Sequence, residues 1–220
     1  MIRDMASNAF EKKICKYCEM AQLMVKPQEN EFRFEPKTDA AKQERDRFKA
    51  AYQSQLELAQ RKVALSILVW GPGKKSISPV STKRRAIYDA LTELGHNAVA
   101  SEDLTAEAFA CTFSEATKEF AQAQEAHLII VLIEDSPGAQ GEVHDFANDP
   151  DLAQKFYVFV PNKYRDGYSA QGIIRDLDHG WHNVYWYHDE EVTSCNILKK
   201  SIECAEARRQ VEYRGRREYI

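Results

Sequence analysis

Glycine and proline are scarce in this chain, nine and seven among 220 residues, which excludes collagen-like and low-complexity architectures. No apolar run approaches the ~18–20 residues a membrane-spanning helix needs. The first residues, "MIRDMASNAFEKK", lack the apolar centre and small-residue cleavage site of a secretory signal. Cysteine is sparse and odd in number, five thiols at 15, 18, 111, 195 and 204, which fits reduced thiols better than a disulfide framework. These absences together lead us to expect a soluble cytoplasmic protein with no membrane partner. Neither sign of charge prevails: the net charge is -4. Nucleic acid or an anionic surface therefore meets no broad attraction, and any anion site must be local. The tail "RRQVEYRGRREYI" is locally basic, which could serve nucleic acid or a partner, but it reads by default as a solvated helix end. Metal ligation is not expected either. Cys15 and Cys18 form a C-x-x-C without a second pair, and His179, His182 and His188 bracket the last strand without ligand spacing, as loop histidines.

What the chain does have is 44% hydrophobic and 29% charged residues, enough for one compact domain plus an extension. The pattern changes near residue 63, giving a helical N-terminal extension over 1–62 and an α/β domain over 63–220. In the extension Phe48, Tyr52, Leu56, Ala59 and Val63 recur at spacings of four and three, one apolar face of a long helix. Beyond it, strands are expected at 64–70, 97–101, 127–133, 156–160 and 183–187. Helices are expected at about 81–94, 105–126, 139–149, 170–177 and 190–212. Apolar runs without strict alternation mark strands covered on both faces. The fold class is therefore α/β, a flavodoxin-like (Rossmann-like) five-stranded parallel sheet with helices on both faces. Ligands in such folds bind beyond the carboxyl ends of the strands, where strand order reverses.

Three loops follow those ends. The first, "GPGKKSISPVSTKRR", is neither a P-loop, which needs Gly at 68 and Ser or Thr at 75, nor G-x-G-x-x-G, because position 76 is Ser. Gly71, Pro72 and Gly73 let backbone approach a ligand, and Ser81 is expected to cap the next helix and present amides to a phosphate or ribose. An ordinary surface loop reads the same way. In the second, Glu102 and Asp103 leave strand two where an acid can bind a ribose hydroxyl, or simply cap a helix. The third is "EDSPGAQGEVHDFA". Ser136 as cap and Pro137 at the first helical position explain its turn, but they do not explain Glu142. With Val143, Phe146 and Ala147, Glu142 lies close to the helix side that should meet the sheet. Trp70, Tyr164 and Tyr168 lie where a base could stack, although buried aromatics explain them equally.

At these residues a family resemblance enters. An apolar strand followed by Asp135, Ser136, Gly138, Ala139, Glu142 and Phe146-Ala147 resembles the nucleoside 2-deoxyribosyltransferase signature, and "GPG" after strand one resembles that family's Gly-Pro. TIR domains that hydrolyse NAD share the layout. The resemblance covers about residues 64–188, with Gly141 and the insertion "KKSISPVS" as departures. It implies that Glu142 is the catalytic carboxylate, and that Gly71, Pro72 and Ser136 line a sugar or phosphate pocket; Asp135 and Gly138 complete the candidate substrate-binding set.

An N-glycosidic bond breaks through an oxocarbenium-like sugar that one carboxylate can stabilise or trap. Nicotinamide in NAD leaves without an acid, whereas a neutral base needs a proton donor. The expected function is thus an N-glycosidase acting on NAD or a related nucleotide as substrate, with no separate cofactor, of the kind the resemblance associates with bacterial stress or phage defence. A nucleoside 2-deoxyribosyltransferase and a non-catalytic nucleotide-sensing or TIR-like assembly module are the alternatives. The stripe above and Cys195, Leu198, Ile202 and Ala205 in the last helix also lead us to expect a homodimer or higher oligomer through the terminal helices.

Overall fold

The computed structural model describes residues 38–73, 75–100, 102, 114–134, 137–167 and 172–217. Among them, helix α1 (Asp39–Arg61) precedes β1 (Ser66–Trp70), α2 (Pro79–Glu93), β2 (Asn97–Val99), α3 (Glu115–Glu125) and β3 (Leu128–Leu132). Then come α4 (Pro137–Phe146), α5 (Pro150–Ala153), β4 (Phe156–Pro161), a 3-10 turn at Asn162–Tyr164, α6 (Ile173–Trp181), β5 (Val184–Tyr187), α7 (Asp189–Thr193) and α8 (Asn196–Arg217). The chain forms two compact units, Met1–Ala64 with Arg209–Ile220 and Leu65–Arg208.

The larger unit holds a five-stranded sheet in the order β2-β1-β3-β4-β5, parallel at every pairing. This is the flavodoxin-like architecture expected. The reason lies in β3: all five of its residues are buried, which only a central strand with helices on both faces allows. One face is a continuous apolar cluster in which Leu68 and Trp70 of β1, Ile129 and Val131 of β3, and Val158 and Val160 of β4 meet Ala123, Val143, Phe146, Ile174 and Leu177 from α3, α4 and α6. Period-two alternation sends Phe159, Tyr157 and Tyr185 to the other face, where their rings meet edge to face at centroid distances of 5.2 and 5.7 Å.

The first strand is also pinned at its start. The Leu65 amide donates to His96 Nδ1 at 3.3 Å and the Ser66 amide to His127 Nδ1 at 3.0 Å, so two imidazoles take the place of ladder acceptors.

Several element boundaries differ from expectation. Helix α2 starts at Pro79, because Ser78 is its N-cap and accepts from the Ser81 amide; Ser81 is not the cap. The expected helix at 139–149 stops at Phe146, and Asp149 caps a separate short helix whose first residue is Pro150. The expected helix at 190–212 is two helices, interrupted where Ser194 is extended and its carbonyl is held by Lys83 Nζ at 2.6 Å. His179 lies within α6, not in a loop. His182 is its left-handed C-cap, at φ 53.

In the smaller unit α1 exposes Phe48 (62%), Tyr52 (48%) and Leu58 (59%); Phe48 and Tyr52 stack at 6.4 Å. Val63 lies beyond the helix end and is buried. The side chains of Leu56 and Ala59 lie outside the described residues. On α8, by contrast, Leu198, Ile202 and Ala205 are buried and belong to the Leu65–Arg208 unit. That stripe is therefore not apolar surface left over for a partner. No helix among the described residues is long and apolar enough to cross a membrane.

Candidate functional site

The strand order reverses between β1 and β3, since the chain runs from β1 outward to β2 and then returns to the far side of β1. The crevice at such a reversal, outside the strand carboxyl ends, is where open α/β sheets bind ligands. At this reversal the loop after β1, which carries Gly71, Pro72 and Gly73, comes beside the end of β3. Gly71 has φ +151, and a Cβ there would lie 3.1 Å from the Leu132 carbonyl oxygen and 3.3 Å from Leu132 Cβ. Its missing side chain thus admits the end of β3. Gly73 is exposed, and a Cβ there would meet only Glu102 Oε1, at an ordinary 3.8 Å. Pro72 is buried.

Two side chains that the sequence reading left unassigned join these loops. Ser78 Oγ donates to Glu134 Oε2 at 3.0 Å while accepting from the Ser81 amide at 3.1 Å. A carboxylate from the β3 end therefore rests against the start of α2, where the helix dipole and open amides favour negative charge. Ser81 itself is buried, and its hydroxyl reaches the Gly73 carbonyl at 3.5 Å. The place read from sequence as suited to a phosphate is thus already faced by a carboxylate of the chain.

Arg84, one turn further along α2 and 5% exposed, ties the second loop to the first. Its Nε and Nη2 donate to the Val69 carbonyl at 2.9 and 2.7 Å, and its Nη1 to the Pro72 carbonyl at 2.9 Å. The remaining two N–H groups form a fork onto Glu102 at 2.8 and 2.6 Å. A guanidinium has five N–H donors, so Arg84 keeps none for a ligand. Glu102, read as a possible ribose acid, is the partner of this buried cation.

Glu142 lies in the middle of α4, followed by Val143 at 0% and, one turn on, by Phe146 at 7% exposure. The side chain of Glu142 lies outside the described residues, as do Asp103, Asp135, Ser136 and the surroundings of Gly138. Gly172, the N-cap of α6, lies against α4: a Cβ there would be 3.7 Å from His144 Cε1. Trp70 is 0% exposed and packs on Phe146 and Phe156 at 5.8 and 5.7 Å, so it is core and cannot stack on a base. Tyr164 is half-buried against the same cluster, with Lys163 Nζ 5.1 Å from its ring. Tyr168 lies outside the described residues.

Beyond β4, the edge strand β5 reaches back to the end of β3. Tyr187 is 2% exposed and donates to the Ile133 carbonyl at 2.8 Å. Tyr185 donates to Glu191 Oε2 at 2.7 Å; that bond and burial push its phenol up to about 12. Burial pushes the Cys204 thiol up to about 12 as well, which makes it a poor nucleophile. Burial also lowers Lys83 below the usual lysine range. No group of three or more metal-ligating side chains occurs among the described residues. Cys15 and Cys18 lie outside them.

Ser78, Arg84 and Tyr187 were missed for different reasons. Ser78-Pro79 is the same cap-and-proline pair as Ser136-Pro137 and was readable. Arg84 and Tyr187 act through partners 15 to 54 residues away, for which sequence carries no local signal. The chain matches no protein-family model, and none of the curated proteins compared with it gives a match.

Proposed function

We propose that the protein is an N-glycosidase that cleaves the bond between a ribose and a base in NAD or a related nucleotide, with Glu142 as the carboxylate that stabilises or traps the oxocarbenium-like sugar. One observation carries this reading: the Ser-Pro-Gly-Ala…Glu segment follows β3, the first Gly-Pro-Gly follows β1, and the strand order sets these two loops on either side of one crevice. Glu134 adds negative charge beside that crevice, which suits the cationic nicotinamide ring. A role in bacterial stress or phage defence goes with this reading and with the family resemblance.

The second reading, nucleoside deoxyribosyl transfer, is favoured by the same Glu134. A carboxylate at the start of α2 takes the position in which a phosphate would be held, as a substrate lacking phosphate would allow. Incubation with NAD and, separately, with deoxynucleosides plus a free acceptor base, followed by chromatography, decides between them. Glu142→Gln is expected to fold normally and lose at least ~10²-fold in turnover, the scale of one charge-stabilising group. Near-normal turnover by a well-folded Gln variant removes Glu142 from the chemistry. Absence of turnover by the unsubstituted protein on every substrate leaves the non-catalytic nucleotide-sensing module. We further propose that the protein self-associates as a homodimer through the exposed face of α1.

A further inference from the structure

The hydrogen-bond ladder between β3 and β4 contains a gap, and its position is informative. Ile129 donates to Lys155 and Ile133 to Phe159, and the register pairs Leu132 with Phe159. In a parallel ladder with this phase, the amide that should answer the Ile133 carbonyl is that of residue 161. Residue 161 is proline and has no N–H. Strand β4 is an interior strand with β3 and β5 on its two sides, where proline is ordinarily excluded because it breaks such a rung. The orphaned carbonyl is buried, since Ile133 is 0% exposed, and water is not at hand to repair it. Tyr187, paired with Pro161 across the β4–β5 ladder, supplies the donor instead: its hydroxyl reaches the Ile133 oxygen at 2.8 Å.

The repaired peptide is the one joining Ile133 to Glu134. Glu134 is held in turn by Ser78, and three residues later α4 begins with the candidate catalytic glutamate on its second turn. We propose that Tyr187 is a positioning residue for this site: its hydroxyl stands in for the amide that Pro161 lacks and fixes the direction in which the chain leaves β3, so that the crevice is held from β5 on one side and from the β1 loop on the other. The functional part of this inference rests on the N-glycosidase reading; the hydrogen-bond part does not.

Removing the hydroxyl with Tyr187→Phe leaves the Ile133 carbonyl unanswered, and replacing Pro161 with alanine restores an N–H at the ladder position. Amide exchange of Ile133 and Phe159 is expected to speed up roughly tenfold or more in Tyr187→Phe, the size expected when one buried acceptor loses its donor. It should return to the original rate in the Tyr187→Phe/Pro161→Ala double variant. Pro161→Ala alone should be close to silent. On whichever substrate the unsubstituted protein turns over, Tyr187→Phe should lower kcat with KM within about twofold, and the double variant should recover kcat, a pattern a general loss of stability does not give. Exchange that is unchanged in Tyr187→Phe, or not rescued by Pro161→Ala, overturns the proposal. Exchange that is rescued while kcat is not overturns the positioning role. If no substrate is turned over, the N-glycosidase reading has failed and the exchange data still decide whether the hydroxyl replaces the missing amide.

Discussion

Arg84 illustrates at the scale of one residue how a cation beside a candidate nucleotide site can be wholly structural. Its five donors are divided between two backbone carbonyls and Glu102, so its charge holds the ends of β1 and β2 in place. Arg84→Met should cost about 3 kcal/mol in urea unfolding, the low end for breaking a buried pair because Glu102 is 39% exposed. A change well under ~1 kcal/mol, with the same denaturant slope, would show that the fork contributes little. Gly71 teaches a related lesson. Its position past a strand end reads as room for a ligand, yet the atoms nearest to a Cβ there are those of Leu132. Valine at Gly71 is therefore expected to lower stability outright as well as to impair binding, as a thermal melt would show.

At the scale of elements, most of the architecture could be read in advance because burial on both faces leaves unbroken apolar runs such as "HLIIVLI" at the inner strands β1, β3 and β4; the edge strands β2 and β5 are less buried and carry a weaker form of the pattern. Helix ends were less legible. They depend on which serine or aspartate turns its side chain back onto the amides; at α2 only the proline after Ser78 separates it from Ser81 as the cap. The break between α7 and α8 has a local part, Ser194 Oγ accepting from the Asn196 amide at 3.3 Å, and a part with no local signal, the Ser194 carbonyl held by a lysine 111 residues away. The tyrosine face of β4 and β5 has a consequence for pH. Tyr185 is raised to about 12 by its bond to Glu191 and by burial, and Tyr157 is raised further by burial and its contact with Cys204. Above pH ~10 the unfolded chain releases these two protons while the folded protein retains them, so the native state binds more protons and stability must fall as pH rises from 10 through 12. Denaturation midpoints across that range should drop, and Tyr185→Phe should make the drop shallower. An equally steep decline in that variant would mean that other groups cause it.

The whole molecule comprises two units of unlike character. In the Leu65–Arg208 unit the apolar stripe of α8 is consumed by burial, whereas α1 leaves Phe48, Tyr52 and Leu58 open to solvent. Phe48 and Tyr52, one turn apart and stacked, form an exposed apolar pair on one face of α1. If α1 is the dimer contact, light scattering at micromolar concentration should give twice the monomer mass, and Phe48→Glu with Tyr52→Glu should halve it. A monomer before and after substitution would rule the dimer out. Trp70 finally offers a way to watch the crevice at work. Its indole is sealed from water between Phe146 of α4 and Phe156 of β4, with no hydrogen-bond partner for Nε1 among the described residues. An indole in so dry and apolar a place emits at short wavelength and reddens when water or a polar group reaches it. The helix that carries Glu142 thus has an optical reporter lodged beneath it, and any ligand that lifts or tightens α4 should announce itself as a shift in intrinsic fluorescence, without label or assay.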